Sequence, residues 1–136
     1  MSLKNVVVEG CEFEIYENNL LNSSGNITIT SQASSNSKVD GNGIYTSLIL
    51  TVSGFTSLPS VVPTWIPESG STVNPAVVES SANYVKVDGV KVILEGDEAA
   101  DVTIIGQKQE GMYVVTAQTT ITIKIKSAGQ SYMKAE

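Results

Sequence analysis

The chain has 136 residues and contains neither histidine nor arginine, since all eight of its basic residues are lysines. Histidine is the usual general base and the commonest metal ligand, and arginine is the side chain that grips carboxylates and phosphates through two parallel hydrogen bonds. No serine lies in a Gly-x-Ser-x-Gly motif that would activate it as a nucleophile. The composition therefore predicts that the protein is not an enzyme.

Cysteine is almost absent as well, because Cys11 is the only one. A single cysteine has no partner for an internal disulfide, and we interpret it as a small apolar residue. One thiolate without histidines does not hold zinc. We therefore expect no metal and no cofactor.

The chain also lacks positive charge and long apolar runs. Its formal charge of −6 and pI near 4.5 argue against a nucleic-acid partner. The first apolar run, Val6-Val7-Val8, is too short for a signal peptide, and no stretch reaches the ~20 apolar residues of a membrane span. We expect one domain, residues 1–136, that is assembled in the cytoplasm without a signal peptide.

What the chain does contain is a β-hairpin pattern around Asp88-Gly89. Asp-Gly tolerates the positive φ angles of a two-residue type I′ turn. Alternation places lysines on one face of the ribbon and apolar residues on the other; the predicted apolar face consists of Val85, Val87, Val90, Val92 and Leu94. The pattern predicts a half-buried ribbon.

This hairpin recurs with a fixed period. The lysines that precede the turns, Lys38, Lys86 and Lys134, are each 48 residues apart, and Asp40, Asp88 and Glu136 share the same later position of the repeat. No segment has a sustained period of 3.6 residues, so the chain is predicted to be all-β.

The third copy stops at Glu136, and residues 4–15 resemble its missing part, with Glu9-Gly10 in the place of Asp88-Gly89. We therefore predict a compact closed cone or prism of three pseudo-threefold β units, in which the N-terminal strand completes the third. The units are residues 26–73, 74–121 and 122–136 completed by 4–15. Closure would leave few exposed strand edges. Prolines at positions 59, 63 and 67 predict an excursion loop over 56–74.

The pattern Val-x-Val-x-Gly-x-x-Val-x-x-x-Gly-Asp, which runs from Val85 to Asp97, resembles the core of PAAR and PAAR-like proteins. These are small all-β cones on the end of a trimeric β-helical spike in type VI secretion systems, phage tails and related contractile injection machines. The resemblance implies a structural spike-tip protein, bound as one copy per homotrimeric spike. It also implies ejection on contraction, transient contact with the target membrane and a part in piercing the target envelope.

The chain departs from that family at two points. Val92-Ile93-Leu94-Glu95 stands where the name-giving Pro-Ala-Ala-Arg is expected, and histidines that hold a metal in many members are missing. The resemblance therefore carries no metal site to this chain.

The candidate partner interface comprises Lys38, Lys86, Lys134, Asp40, Asp88 and Trp65. The lysines and acids form either a charged docking ring or a solvated face whose ion pairs contribute ~0–1 kcal/mol each. Trp65 either anchors the protein to its partner or to a membrane interface, or fills the core of the Pro-rich segment.

Two further interpretations remain. Asp97, Glu98 and Asp101, with Glu95 nearby, are a weak calcium candidate, since their spacing matches no known calcium loop. The alternative function is a carbohydrate- or protein-binding β-sandwich module of a surface adhesin. Its aromatic platforms would come from Tyr16, Tyr45, Tyr84, Tyr113 and Tyr132.

Overall fold

The computed structural model describes residues 3–17, 24–57 and 64–136. Their regular structure consists of strands, and no helix occurs among them, so the predicted all-β class is confirmed. In chain order the strands are β1 (Lys4–Asn5), β2 (Glu12–Glu17), β3 (Ser24–Ile29), β4 (Lys38–Val39), β5 (Asn42–Gly43), β6 (Ile49–Thr56), β7 (Thr64–Trp65), β8 (Ser71–Thr72), β9 (Ala76–Val77), β10 (Lys86–Val87), β11 (Val90–Lys91), β12 (Glu98–Glu110), β13 (Tyr113–Ser127) and β14 (Lys134–Ala135).

The largest sheet is built on the long hairpin of β12 and β13. The two strands pair in antiparallel register from Glu98↔Lys124 to Glu110↔Tyr113. β2 pairs with the other edge of β13, and the short strands β7 and β8 pair with β12. The strict alternation at the end of β13 predicts that its isoleucines are buried, and Ile121, Ile123 and Ile125 are indeed buried.

A second sheet has the order β3-β6-β9, and both sheets contribute side chains to one main core. The largest of its fully buried residues are Phe55, Leu48, Leu50, Ile93, Ile104, Ile121, Ile123 and Ile125. Three two-stranded ladders lie outside these sheets: β4 with β5, β10 with β11, and β1 with β14.

The sheets of the described residues do not join into one closed ring. β2 pairs with β13 alone and β3 with β6 alone among these residues, although Gly25 of β3 lies against Ile15 of β2. One hydrogen bond joins the segment after β9 to the first residue of β12: the amide of Glu79 donates to the carbonyl of Glu98 at 3.3 Å. Closure of three units into a cone or prism therefore stays a prediction.

The hairpin predicted around Glu9-Gly10 is wrong. The chain turns there, with Gly10 at φ 93° and the amide of Cys11 donating to Val8 at 3.2 Å, but the valines before the turn do not pair with β2. The amide of Val8 donates instead to the carbonyl of Ala128 at 3.0 Å. All three valines at positions 6 to 8 are fully buried, which an isolated two-stranded ribbon cannot achieve because one of its faces meets water.

The glycines at positions 106 and 111 predict from the sequence that the chain turns over residues 106–111, and this prediction is wrong in length. The chain continues as strand to Glu110 and turns only at Gly111-Met112. Gly106 serves close packing instead of a turn, since a Cβ on it would lie 2.8 Å from Cζ2 of Trp65. The glycine is thus needed by a distant part of the chain, which its local sequence does not reveal.

The segment 56–74, predicted as an excursion loop, contains the short strands β7 and β8. Residues 58–63 lie outside the described part of the chain. In the hairpin around Asp88-Gly89, Val90 is exposed although the alternation places it on the apolar face.

Candidate functional site

Three short antiparallel ladders occupy the same place in the 48-residue repeat. Their lysines pair as Lys38↔Gly43 in β4–β5, Lys86↔Lys91 in β10–β11 and Lys134↔Asn5 in β14–β1. The N-terminal strand β1 pairs with the truncated third copy through residues 4–5, in a different register from the predicted Glu9-Gly10 match. We call the surface formed by these three ladders the three-hairpin face.

The two continuous hairpins close through the turns that their sequence predicts. Asp40 and Gly41 have φ of 51° and 84°, and Asp88 and Gly89 have φ of 52° and 80°. Positive φ at both central residues is the geometry of a type I′ turn, whose twist matches that of the flanking strands. In the third ladder the corresponding positions are those of Glu136 and Leu3, which are not joined by a peptide bond.

A small second core lies under the three-hairpin face. It consists of the buried residues Val6, Val8, Ile44, Ala82, Val87, Val92, Leu94 and Ala135, with Val39, Val85 and Met133 packed against them. Each ladder contributes the residue that follows its lysine, namely Val39, Val87 or Ala135. Since side chains alternate along a strand, the three lysines point away from this core.

Beneath the second core, three buried residues form a cycle of backbone hydrogen bonds. The amide of Val7 donates to Ile93 at 2.9 Å, that of Ile93 to Tyr45 at 3.2 Å, and that of Tyr45 to Val7 at 3.0 Å. Tyr45 and Ile93 are 48 residues apart. The position 48 residues after Ile93 would lie beyond Glu136. It is Val7 if Leu3 is counted as the residue after Glu136, and these two residues flank the β14–β1 ladder. We call these bonds the backbone triangle.

A second set of three bonds repeats the same relationship. The donors are the residues immediately before Tyr45, Ile93 and Val7, and each acceptor is the carbonyl of the residue before a ladder lysine. The amide of Ile44 donates to Ser37 at 3.0 Å, that of Val92 to Val85 at 3.2 Å, and that of Val6 to Met133 at 3.0 Å. All three copies of the repeat therefore make equivalent contacts here.

The backbone triangle separates the two cores. Val7, Tyr45 and Ile93 belong to the main core, whereas Val6, Ile44 and Val92, one residue earlier, belong to the second core. The sequence signal for this is the apolar run at each of the three places, which has no polar alternation because both faces are buried. Sequence reasoning identified the period but missed the triangle, because its three partners are far apart in the chain.

The three-hairpin face brings together the candidate charges. Lys38, Lys86 and Lys134 are exposed, and so are Asp40 and Asp88. The hydroxyl of Ser34 donates to Oδ2 of Asp88 at 3.2 Å, which links the segment before the first hairpin to the second turn.

The same face has a charge balance unlike the rest of the protein. Its strands and turns hold five lysines, at positions 4, 38, 86, 91 and 134, against three acids, at 40, 88 and 136. The remaining chain has three lysines and eleven acids. Two exposed tyrosines also lie here, and each is two residues before a ladder lysine. Tyr84 is 71% exposed and Tyr132 is 80% exposed. The exposed Asn36 takes the third place.

Trp65 lies apart from this face, in the main core. It is buried and meets Phe55 edge to face, with ring centroids 6.1 Å apart and planes at 86°. Of the two interpretations of this residue, its position matches the one that fills the core.

The acidic turn after the second hairpin performs a structural task. Oδ2 of Asp97 accepts hydrogen bonds from the amides of Leu94 at 2.8 Å and Ser81 at 3.1 Å, and Oδ1 accepts from the Ser81 hydroxyl. Asp97 is buried and ties the link before the second hairpin to the strand after it. Glu98 and Asp101 line an open groove of ≈ 710 Å³ beside it. No group of three or more potential metal ligands occurs within residues 3–17, 24–57 and 64–136.

Cys11 is half-buried near the first turn. Burial raises the pKa of its thiol from the usual value of about 9 to about 11, against a smaller lowering by a backbone hydrogen bond. The thiol is therefore protonated at neutral pH and a poor nucleophile.

In the described part of the chain, no helix is long and apolar enough to span a membrane. Comparison with known proteins finds no matching family model, no matching curated sequence and no matching solved structure.

Proposed function

We propose that this protein is the tip of a trimeric β-helical spike in a contractile injection machine, similar to PAAR proteins, and that it docks through the three-hairpin face. The protein would then be a structural component without catalytic activity, bound as one copy per trimer. The observation that carries the proposal is the backbone triangle, in which residues one repeat apart hydrogen-bond in a cycle.

The proposed docking depends on matching the threefold symmetry of the partner. A threefold partner presents three identical surfaces around its axis, and a single chain can contact all three equally only if it offers three equivalent elements. The ladders at Lys38, Lys86 and Lys134 are such elements, held by equivalent backbone bonds. Pseudo-threefold symmetry of the whole molecule, closed into a cone, belongs to this proposal.

The chemistry of the face is suited to protein docking. Exposed tyrosines and a ring of lysines provide amphipathic contact area and charge for steering toward an acidic trimer end. Each lysine contact with an exposed acid is weak on its own, so three equivalent contacts have to act together. Tyr84 and Tyr132 are the expected anchors of two of the three contacts.

The test is a binding measurement with the trimeric β-helical spike of the same machine. Native mass spectrometry of the co-expressed proteins should give one copy of this chain per trimer. The triple variant Lys38→Glu, Lys86→Glu, Lys134→Glu should lose binding at least tenfold, and more at low salt. The matched control reverses the three lysines outside the face, Lys108, Lys124 and Lys126, and should bind normally. Three copies per trimer, or equal loss in both triple variants, would overturn the proposal.

A further inference from the structure

The tip of the β12–β13 hairpin is the most exposed apolar feature of the described chain. Met112 is 94% exposed, Tyr113 75% and Val114 52%. Three consecutive apolar side chains at a turn are not explained by the fold, because they contribute nothing to either core. They also take no part in the three-hairpin face.

The tip points away from the three-hairpin face. β12 begins at Glu98, four residues after Leu94 of the second core, and runs for 13 residues to Glu110. Its register shifts between Ala99 and Val102, and the regular part from Val102 to Glu110 spans about 26 Å. Among the described strands, the last pairing partner along the hairpin is β7, at Lys108 and Gln109. The turn therefore projects from the end of the molecule remote from the proposed docking face.

The turn pairs one of its carbonyls within the hairpin itself. The ladder continues to its last possible pair, Glu110↔Tyr113. The amide nitrogen Nε2 of Gln109 donates to the carbonyl of Gly111 at 2.9 Å, which occupies an acceptor that a turn normally leaves to water. Pairing of backbone groups lowers the cost of moving them out of water.

The charges near the tip also cancel. Lys108 and Glu110 are the only ionisable side chains between Gln107 and Thr116 apart from the Tyr113 phenol, in a protein with net charge −6. A neutral, convex and internally paired apolar tip fits a fluid apolar medium better than a rigid protein surface, which would need a matching cavity.

We infer that Met112, Tyr113 and Val114 form a membrane-insertion tip that enters the interfacial region of a lipid bilayer. Methionine and valine supply apolar surface, and the tyrosine ring places its hydroxyl at the level of the headgroups. The inference deepens the proposed function, on which it rests for its biological setting, because the end opposite the docked face is the one that meets the target membrane first.

The experiment is flotation of the isolated, full-length protein with phosphatidylcholine vesicles. The wild type should float with the lipid, and the double variant Met112→Ser, Tyr113→Ser should bind at least tenfold more weakly. The matched control Tyr84→Ser, Tyr132→Ser removes the two exposed tyrosines of the opposite face and should float like the wild type. Phosphatidylglycerol in the vesicles should weaken binding, because the protein is acidic.

A second measurement reports insertion directly. A polarity-sensitive dye on Met112→Cys, in a Cys11→Ser background, should shift its emission to the blue on vesicle addition. Failure of the wild type to float, an equal loss in both double variants, or no spectral shift would overturn the inference. Binding to the trimeric spike is measured on the same variants, and it should be unchanged in the tip variant. Vesicle binding without trimer binding would refute the proposed function and leave the insertion tip standing.

Discussion

The amide of Val7 donates a hydrogen bond to the carbonyl of Ile93 at 2.9 Å, although the two residues are 86 positions apart in the sequence. Ile93 in turn donates to Tyr45, and Tyr45 donates back to Val7. The cycle closes because the β14–β1 ladder places the N-terminal segment where a third repeat would continue. Parts of this arrangement can be tested separately from the two proposals.

The β14–β1 ladder predicts a foldable circular permutant. Glu136 and Leu3 take the positions of Asp88 and Gly89 between the paired residues Ala135 and Lys4. Joining residue 136 directly to residue 3, with Glu136→Asp and Leu3→Gly, should therefore create a third type I′ turn. New ends between Gly111 and Met112 lie in an exposed turn.

This permutant should fold, and the new short turn at the junction should offset the closure that is lost where the β12–β13 hairpin is cut. The matched control has Leu3→Pro at the junction, where the fixed negative φ of proline prevents the turn. Thermal unfolding followed by circular dichroism compares the two. Equal melting temperatures for the glycine and proline junctions would contradict the predicted turn.

The burial of the backbone triangle predicts that two nearby residues, Ile93 and Val90, contribute very differently to the free energy of unfolding. Ile93 is buried in the main core, so Ile93→Ala should reduce the free energy of unfolding by about 2–5 kcal/mol. Val90→Ala, three residues earlier and exposed, should change it by about 0.5 kcal/mol or less. Urea denaturation gives both values. Similar losses for the two variants would show that the segment is not arranged as described.

The raised pKa of Cys11 predicts slow alkylation. With a pKa of about 11 instead of about 9, the thiolate fraction at pH 8 is roughly a hundredfold smaller, and so is the rate with iodoacetamide. The unfolded protein in urea is the control. In the folded protein the rate should keep rising until the pH approaches 11, and a plateau near pH 9 would refute the shift.

The same shift in the pKa of Cys11 affects stability at high pH. The folded state holds the proton more tightly than the unfolded state, so its contribution to stability is complete below about pH 9 and is lost as the pH rises through about 11. The variant Cys11→Ser should lack this component of alkaline destabilisation, which urea denaturation at pH 8 and at pH 11 measures. An equal loss of stability in both proteins between these two pH values would contradict the assignment to Cys11.

Local patterns determined a substantial part of this protein. The Asp-Gly turns, the 48-residue period and the alternating isoleucines of β13 could all be read from the sequence, because each depends on the backbone preferences or side-chain faces of adjacent residues. The absence of histidine and arginine likewise limits the chemistry that the chain can perform in any fold. The repeat also predicted that the N-terminal segment lies beside the last copy, but in a register that the β14–β1 ladder does not have.

Only the tertiary structure decided the rest. The run Val6-Val7-Val8 matches the repeat in two registers, and burial on both of its faces selects the one that differs from the predicted hairpin. Gly106 carries a turn signal, but contact with Trp65 makes it part of a long strand. In both cases the deciding partners are distant in sequence, so their packing energies cannot be inferred from neighbouring residues.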